Sequence, residues 1–169
     1  MNRRNGFSLI ELLIVVAIIL IIASIAIPNL LRSKMSANRA AAVSTLRNLH
    51  NSQAVYVMEF GGNQIYAGSL LQLGPGTPCN STHACLVDAF IGCTTEPCAK
   101  SGYGYFMTSP APGTYVSAAT PLKWNATGTD NYCSTDTGVI HRQLGASASL
   151  SAAPPRADCE TPTLYEPIQ

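Results

Sequence analysis

One carboxylate stands inside an apolar run. From Phe7 to Pro28 the chain reads FSLIELLIVVAIILIIASIAIP, and Glu11 is the charged residue in it. A charge at the centre of a membrane helix costs roughly 2.5–3.5 kcal/mol on insertion scales and less near an end, so neither a plain anchor nor a plain signal peptide has reason to carry Glu11. Further along, six cysteines (Cys79, Cys85, Cys93, Cys98, Cys133 and Cys159) all lie well beyond the apolar run. An even number on the exported side of a membrane reads as disulfides, with fifteen connectivities. Cys79–Cys85, Cys93–Cys98 and Cys133–Cys159 is the preferred set, and Cys79–Cys98 with Cys85–Cys93 is the nested alternative. A zinc site on His83, Cys85, Cys93 and Cys98 competes with both, but those spacings fit no common zinc module, and neither CxxC nor CxxCH occurs.

Other chemistry is sparse. The motifs GxSxG, HExxH, GxGxxG and the P-loop are absent. His50, His83 and His141 fall on different elements, His50 on a helix surface or against a sheet and His141 facing outward from a strand. Asp130 and Asp136 flank a turn without the dense run of oxygen ligands that calcium takes, and read as solvated turn aspartates. Asn80-Ser81-Thr82 and Asn125-Ala126-Thr127 are sequons by pattern alone. No cofactor is expected and no enzyme.

The residues around Glu11 explain it. A polar leader, MNRRNG, precedes the run, and the string GFSLIELLIVVAIILIIA resembles the N-terminus of type IV prepilins and type II secretion pseudopilins. The resemblance implies a cut between Gly6 and Phe7 by a membrane-embedded prepilin peptidase, methylation of the new Phe7 amine, and Glu11 as the family's acidic residue. Phe7 and Glu11, four apart, share a helix face. The cut makes a cationic amine one turn from the carboxylate, which the helix dipole also attracts. In a filament the better partner is a neighbour's amine, setting the register between subunits. The rival reading leaves Glu11 pointing into water at the cytoplasmic interface. Ordinary secretion competes too, with Arg3 and Arg4 as the positive region and Ser24-Ile25-Ala26 as the cleavage site. A charge within the apolar region and a helical pattern continuing past Pro28 oppose it. Because Arg32, Lys34 and Arg39 follow the run, the positive-inside rule is weak here. The leader's resemblance sets the N-terminus in the cytoplasm and the rest outside.

The elements that must position these residues follow from pattern. Twenty-two residues from Phe7 to Pro28 make a helix of about 33 Å, enough to cross a hydrocarbon core of about 30 Å. Pro28 lacks a donor and clashes with the carbonyl of Ser24, predicting a bend rather than an end. Beyond it, Asn29 to Phe60 is free of Gly and Pro. Ala42, Val43, Leu46, Leu49, Gln53, Ala54 and Val57 recur at three- and four-residue steps, opposite Arg39, Ser44, Arg47, Asn48 and Asn51. That face covers a sheet, and Gly61-Gly62 stops the helix. Residues 61–101 are loop-rich, with a helical turn at Leu70–Leu73 and a short helix or strand at Leu86–Ile91. Tyr103–Thr108 and Thr114–Thr120 read as strands joined by SPAPG, and Asn131–Cys133 with Gly138–Arg142 as a second hairpin. The tail from Leu144 to Gln169 is Ala/Ser-rich and then Pro-rich, mobile unless Cys159 pins it.

The expected fold is therefore α+β: a long bent N-terminal helix, membrane-spanning in its first half, packed on a small antiparallel β-meander head. Residues 1–6 are leader, 7–31 the transmembrane and assembly helix, 32–60 its amphipathic second half, and 61–169 the disulfide-rich head. Charged residues are 11% of the 169 and the formal charge is +1, against roughly 25% charged in ordinary soluble domains. Losing Arg3 and Arg4 leaves 8 basic and 9 acidic side chains, −1 before the termini, so nucleic-acid binding has no electrostatic footing. The resemblance implies a structural subunit of a type IV pilus-like filament. The alternatives are a major-type pseudopilin of a type II secretion system and a membrane-tethered binding domain that never polymerises. The implied partners are copies of itself and related pilins, prepilin peptidase, an inner-membrane assembly platform, and lipid before assembly. The implied location is the bacterial inner membrane, single-pass, then a periplasmic or extracellular filament.

Overall fold

The computed structural model describes residues 7–62, 65–109 and 111–168. The chain divides into two compact units, residues 1–34 and 35–169. Helix α1, Leu9–Glu59, contributes to both and continues through Pro28. In the first unit α1 is long and apolar enough to cross a membrane. Its large apolar side chains, from Leu9 to Leu31, are exposed on every side. A helix apolar all round is made for lipid or for other helices rather than for water.

In the second unit α1 buries Ala42, Thr45, Leu46, Leu49, Ser52, Gln53 and Tyr56. The stripe has the expected period but not all of the expected members. Ala54 is exposed, while Val43 and Val57 lie at the edge. Thr45, Ser52 and Tyr56 take inner places because each polar group has a partner. Thr45 Oγ1 donates to Ala41 O (2.9 Å), Ser52 Oγ to Leu86 O (3.3 Å), and Tyr56 Oη to Ser81 O (2.7 Å). Beyond α1, helix α2 (Leu70–Leu73) supplies two buried leucines. Residues 86–91, expected as a short helix or strand, are neither. The Asp88 carboxylate accepts from Phe90 N (3.0 Å) and Ile91 N (3.1 Å), closing a turn on its own side chain. This loop crosses the end of α2 where Gly74 and Gly92 meet backbone to backbone. A Cβ on Gly92 would lie 2.2 Å from Gly74 Cα.

The sheet is a six-stranded antiparallel meander in the order β1-β2-β3-β4-β5-β6. Its strands are β1 Cys98–Lys100, β2 Tyr103–Thr108, β3 Val116–Pro121, β4 Tyr132–Thr135, β5 Ile140–Gln143 and β6 Tyr165–Pro167. The two outer strands add to the four expected. Register sorts the side chains. One row, Cys98, Tyr105, Ala119, Tyr132, Arg142 and Glu166, runs across all six strands. The first four of these belong to the core shared with α1 and α2. The adjacent row, Phe106, Ala118, Cys133, His141 and Pro167, lies on the opposite face.

That second face has its own small core: Phe106, Ala118, Cys133, Cys159 and Tyr165, flanked by Leu150 and Ala153. The tail builds it. Leu150 N donates to Thr120 Oγ1 (2.8 Å), Asn131 Nδ2 to Ala148 O (2.8 Å), and Leu144 N to Leu164 O (2.8 Å). A short helix, α3 (Arg156–Cys159), then carries Cys159 to β4. Three disulfides close, Cys79–Cys85, Cys93–Cys98 and Cys133–Cys159. This is the preferred set rather than the nested one, and it ties up all three thiols of the nominated zinc site, Cys85 with Cys79 and Cys93 with Cys98.

Candidate assembly site

The first described residues set out the geometry at the N-terminus. Phe7 is 81% exposed, and Gly6 lies outside the described residues. Ser8 precedes α1, and its backbone N–H donates to Glu11 Oε2 at 2.8 Å. The spacing Ser8-Leu9-Ile10-Glu11 is that of a capping box, in which the third helical residue reaches back to the cap position. Ser8 was not singled out from the sequence, although S-x-x-E before an apolar run is a readable signal. Glu11 therefore has a hydrogen bond within its own chain that satisfies a helix-end donor. Further along, Ser24 Oγ donates to Ile21 O (2.7 Å), one turn before Pro28. The exposed surface between is Leu, Ile, Val and Ala, with nothing polar to compete for Glu11.

In the second unit, polar clamps hold the head to α1. Asn38 Nδ2 donates to Thr127 O (2.9 Å). Arg39, expected on the outer face, instead pairs with Asp130 (Nε to Oδ2, 2.7 Å) and also donates to Thr129. Asp136 pairs with Arg156 of α3 (2.8 Å). The two aspartates are thus partly buried ion-pair members rather than solvated turn residues. His50 Nδ1 meets Tyr115 Oη at 2.7 Å. Gln53, fully buried, bonds both backbone groups of Ala67 and donates to Met107 Sδ. His83 sits in a turn made by Asn80, whose Oδ1 accepts from Thr82 N and His83 N.

Two kinds of titrating group are displaced by this packing. Burial pushes the Glu96 carboxyl above its ordinary range, opposed by N–H donors from Met107 (3.0 Å) and Leu70 (3.3 Å). Burial likewise raises the phenols of Tyr56, Tyr103, Tyr105, Tyr115, Tyr132 and Tyr165. At the loop, the Lys100 ammonium bonded to Asp88 holds that carboxyl below its ordinary value.

Comparison with known proteins matches both halves of this arrangement. A family profile described as "Prokaryotic N-terminal methylation motif" matches residues 1–27. The type IV wide pilus major component PilA4 of Thermus thermophilus is 32% identical over 121 residues, covering 66% of this chain and 92% of that protein. The type IV major pilin protein PilA of Myxococcus xanthus is 44% identical over 57 residues, 34% of this chain and 26% of that one. The type II secretion system core protein G of Aeromonas hydrophila is 37% identical over 58 residues, 34% of this chain and 41% of that one. No solved structure matches the chain.

Proposed function

The chain belongs to the type IV pilin and pseudopilin family, and from that membership we propose that it is a structural subunit of a pilus-like filament. The observation that carries this reading is the match to the Thermus pilus component, which extends over 92% of that protein and so through the head as well as the helix. The matches to core protein G cover about a third of this chain, so the secretion-pseudopilus reading rests on that third alone. The subunit is a building block, not a catalyst.

In the finer reading, prepilin peptidase removes residues 1–6 by cutting between Gly6 and Phe7 and methylates the Phe7 amine. Residues 7–31 hold the subunit in the bacterial inner membrane, N-terminus in the cytoplasm, and later pack against other subunits. Residues 32–60 join them to the head, 61–169. An inner-membrane assembly platform lifts the subunit from lipid into the filament. The all-round apolar exposure of α1 from Leu9 to Leu31 supports this, because the same surface suits lipid before assembly and neighbouring helices after it. Pro28 lets the helix bend as it packs. In the filament, Glu11 exchanges its Ser8 N–H for the Phe7 amine of a neighbour.

The test is to express the chain beside a pilus platform and motor, shear the cells, and sequence the N-terminus of any filament recovered. Filaments whose first residue is N-methylated Phe7 are expected. A soluble product starting near Ile27, or a membrane-held chain that never enters filaments, overturns the reading.

A further inference from the structure

On the tail side of the sheet, three ligand-bearing side chains meet. Cys133 of β4 and His141 of β5 are direct cross-strand partners, so both project from the same face. Cys159, at the end of α3, is brought to them by the tail. Two Sγ atoms and one imidazole nitrogen lie within 4.8 Å of one another. Both cysteines are fully buried. His141 Nδ1 is buried too, with no hydrogen-bond partner among the described residues. A buried polar nitrogen without a partner is costly. In the same row, Phe106 and Ala118 fill space with apolar atoms, so packing alone does not call for an imidazole at 141.

We propose that before the Cys133–Cys159 bond is made, the head holds one Zn2+ ion on Cys133, Cys159 and His141, and that the ion and the disulfide are alternative occupants of one place. The ligand set is right for the metal. Zn–S near 2.3 Å and Zn–N near 2.0–2.1 Å put tetrahedral ligand atoms about 3.5–3.8 Å apart, so the two sulfurs, bonded to each other in the oxidised head, move apart to that distance once reduced. Two thiolates and a neutral imidazole cancel the charge of the ion, which suits the apolar surroundings of Phe106, Ala118 and Leu150. The fourth position is left for water.

The chemistry balances. Each disulfide begins as two thiols. Zinc displaces one proton from each of Cys133 and Cys159, and the ion rests on two thiolates. Oxidation needs a disulfide-class oxidant. The Cys133 thiolate attacks one of its sulfurs and expels a thiolate. The Cys159 thiolate then attacks Cys133 Sγ and expels the second. Two electrons end on the oxidant, its thiolates take protons from water, and zinc is released. Bound zinc ties up the attacking thiolates, so it slows this bond specifically. Cys79–Cys85 and Cys93–Cys98 close over separations of 6 and 5, and neither pair belongs to a three-ligand group among the described residues.

The experiment uses the full chain in detergent micelles, with Cys79, Cys85, Cys93 and Cys98 replaced by serine. The remaining pair is reduced with a phosphine and titrated with Co2+ as the spectroscopic probe, then with Zn2+ in competition. One equivalent with a sulfur-to-cobalt charge-transfer band and tetrahedral d–d bands is expected. His141→Ala should weaken binding at least about tenfold, the lower range for disturbing a zinc shell. A second measurement uses the chain with all six cysteines. It is reduced, reoxidised with oxidised glutathione with and without Zn2+, and mapped by mass for each pair. Zinc should delay Cys133–Cys159 and not the local pairs, and the delay should vanish in His141→Ala. Should the serine variant fail to fold, this second measurement decides. Equal behaviour of His141→Ala and its parent, or no zinc-dependent delay, overturns the proposal.

Discussion

The Gln53 side-chain amide and the Ala67 backbone are joined reciprocally. Gln53 Oε1 accepts from Ala67 N at 2.9 Å, and Gln53 Nε2 donates to Ala67 O at 2.9 Å. Both residues are fully buried. A helix side chain thus takes the part of a neighbouring strand for a loop residue that has none, fixing where the chain returns to the core after leaving α1.

Replacing Gln53 with Leu keeps the volume and strands both Ala67 groups. At about 1–3 kcal/mol for each buried unsatisfied group, Gln53→Leu should destabilise the second unit by about 2–6 kcal/mol. Urea unfolding of residues 35–169 followed by circular dichroism measures it. A loss under about 0.5 kcal/mol, the range of a neutral surface change, would show that water reaches Ala67.

The three disulfides should differ in worth. Cys133–Cys159 spans 26 residues, against 6 and 5 for the others. The loop-entropy relation gives the long bridge about 1 kcal/mol more. It also pins the tail whose Cys159 and Tyr165 complete the second core. A Cys133→Ala/Cys159→Ala double variant should therefore unfold at lower urea than Cys79→Ala/Cys85→Ala. It should also expose the tail to limited proteolysis between 144 and 165. Equal midpoints and an intact tail would show that packing alone holds it.

Alkaline pH should unfold the head in one step. Six phenols are raised by burial. The folded state therefore binds their protons more tightly than the unfolded state, whose phenols titrate near pH 10. Their contribution is fully present below that pH and is lost as pH rises through the folded values. Phenolate absorbance should climb steeply above about pH 10 together with loss of the circular dichroism of the fold. Smooth titration centred near 10 with the fold intact would contradict the burial of these rings.

How much of this was legible in the sequence depends on range. Helix α1 and strand β2 were readable because their signals are local: an apolar run, a Gly-free period, an aromatic alternation ended by SPAPG. β1, β6 and α3 have three or four residues each, too few to show a period, and exist because neighbouring strands and the disulfides hold them. Arg39 looked like surface because its partner Asp130 is 91 positions away. Thr45, Ser52 and Tyr56 looked wrong for a buried stripe until their acceptors, far along the chain for two of them, were in view. His141, read as facing outward from its strand, is instead half-buried with Nδ1 enclosed, because the tail that covers that face carries no apolar period to announce it. Around Glu11, one carboxylate among apolar residues marks the position, and its Ser8 partner was readable too, as S-x-x-E before an apolar run.

Glu11 offers the sharpest separation of membrane insertion from assembly. Glu11→Leu removes a charge that opposes insertion, so the subunit should enter the bilayer at least as well as before. The Ser8 N–H loses its acceptor, but that group is exposed, so only part of a capping contribution of about 1 kcal/mol is at stake. Cleavage after Gly6 should persist, because the cut bond lies upstream of the altered residue. Polymerisation should fail. In a filament the Phe7 amine of each incoming subunit would be held among apolar side chains without a counter-charge, at about 3–5 kcal/mol per broken buried pair. Repeated at every subunit, that is ample to stop growth. Processed monomer in the membrane fraction, with sheared filaments absent by electron microscopy, is the expected result. If Glu11→Leu subunits assemble at normal density, the carboxylate serves only the Ser8 cap, and the register between subunits is set by apolar packing instead.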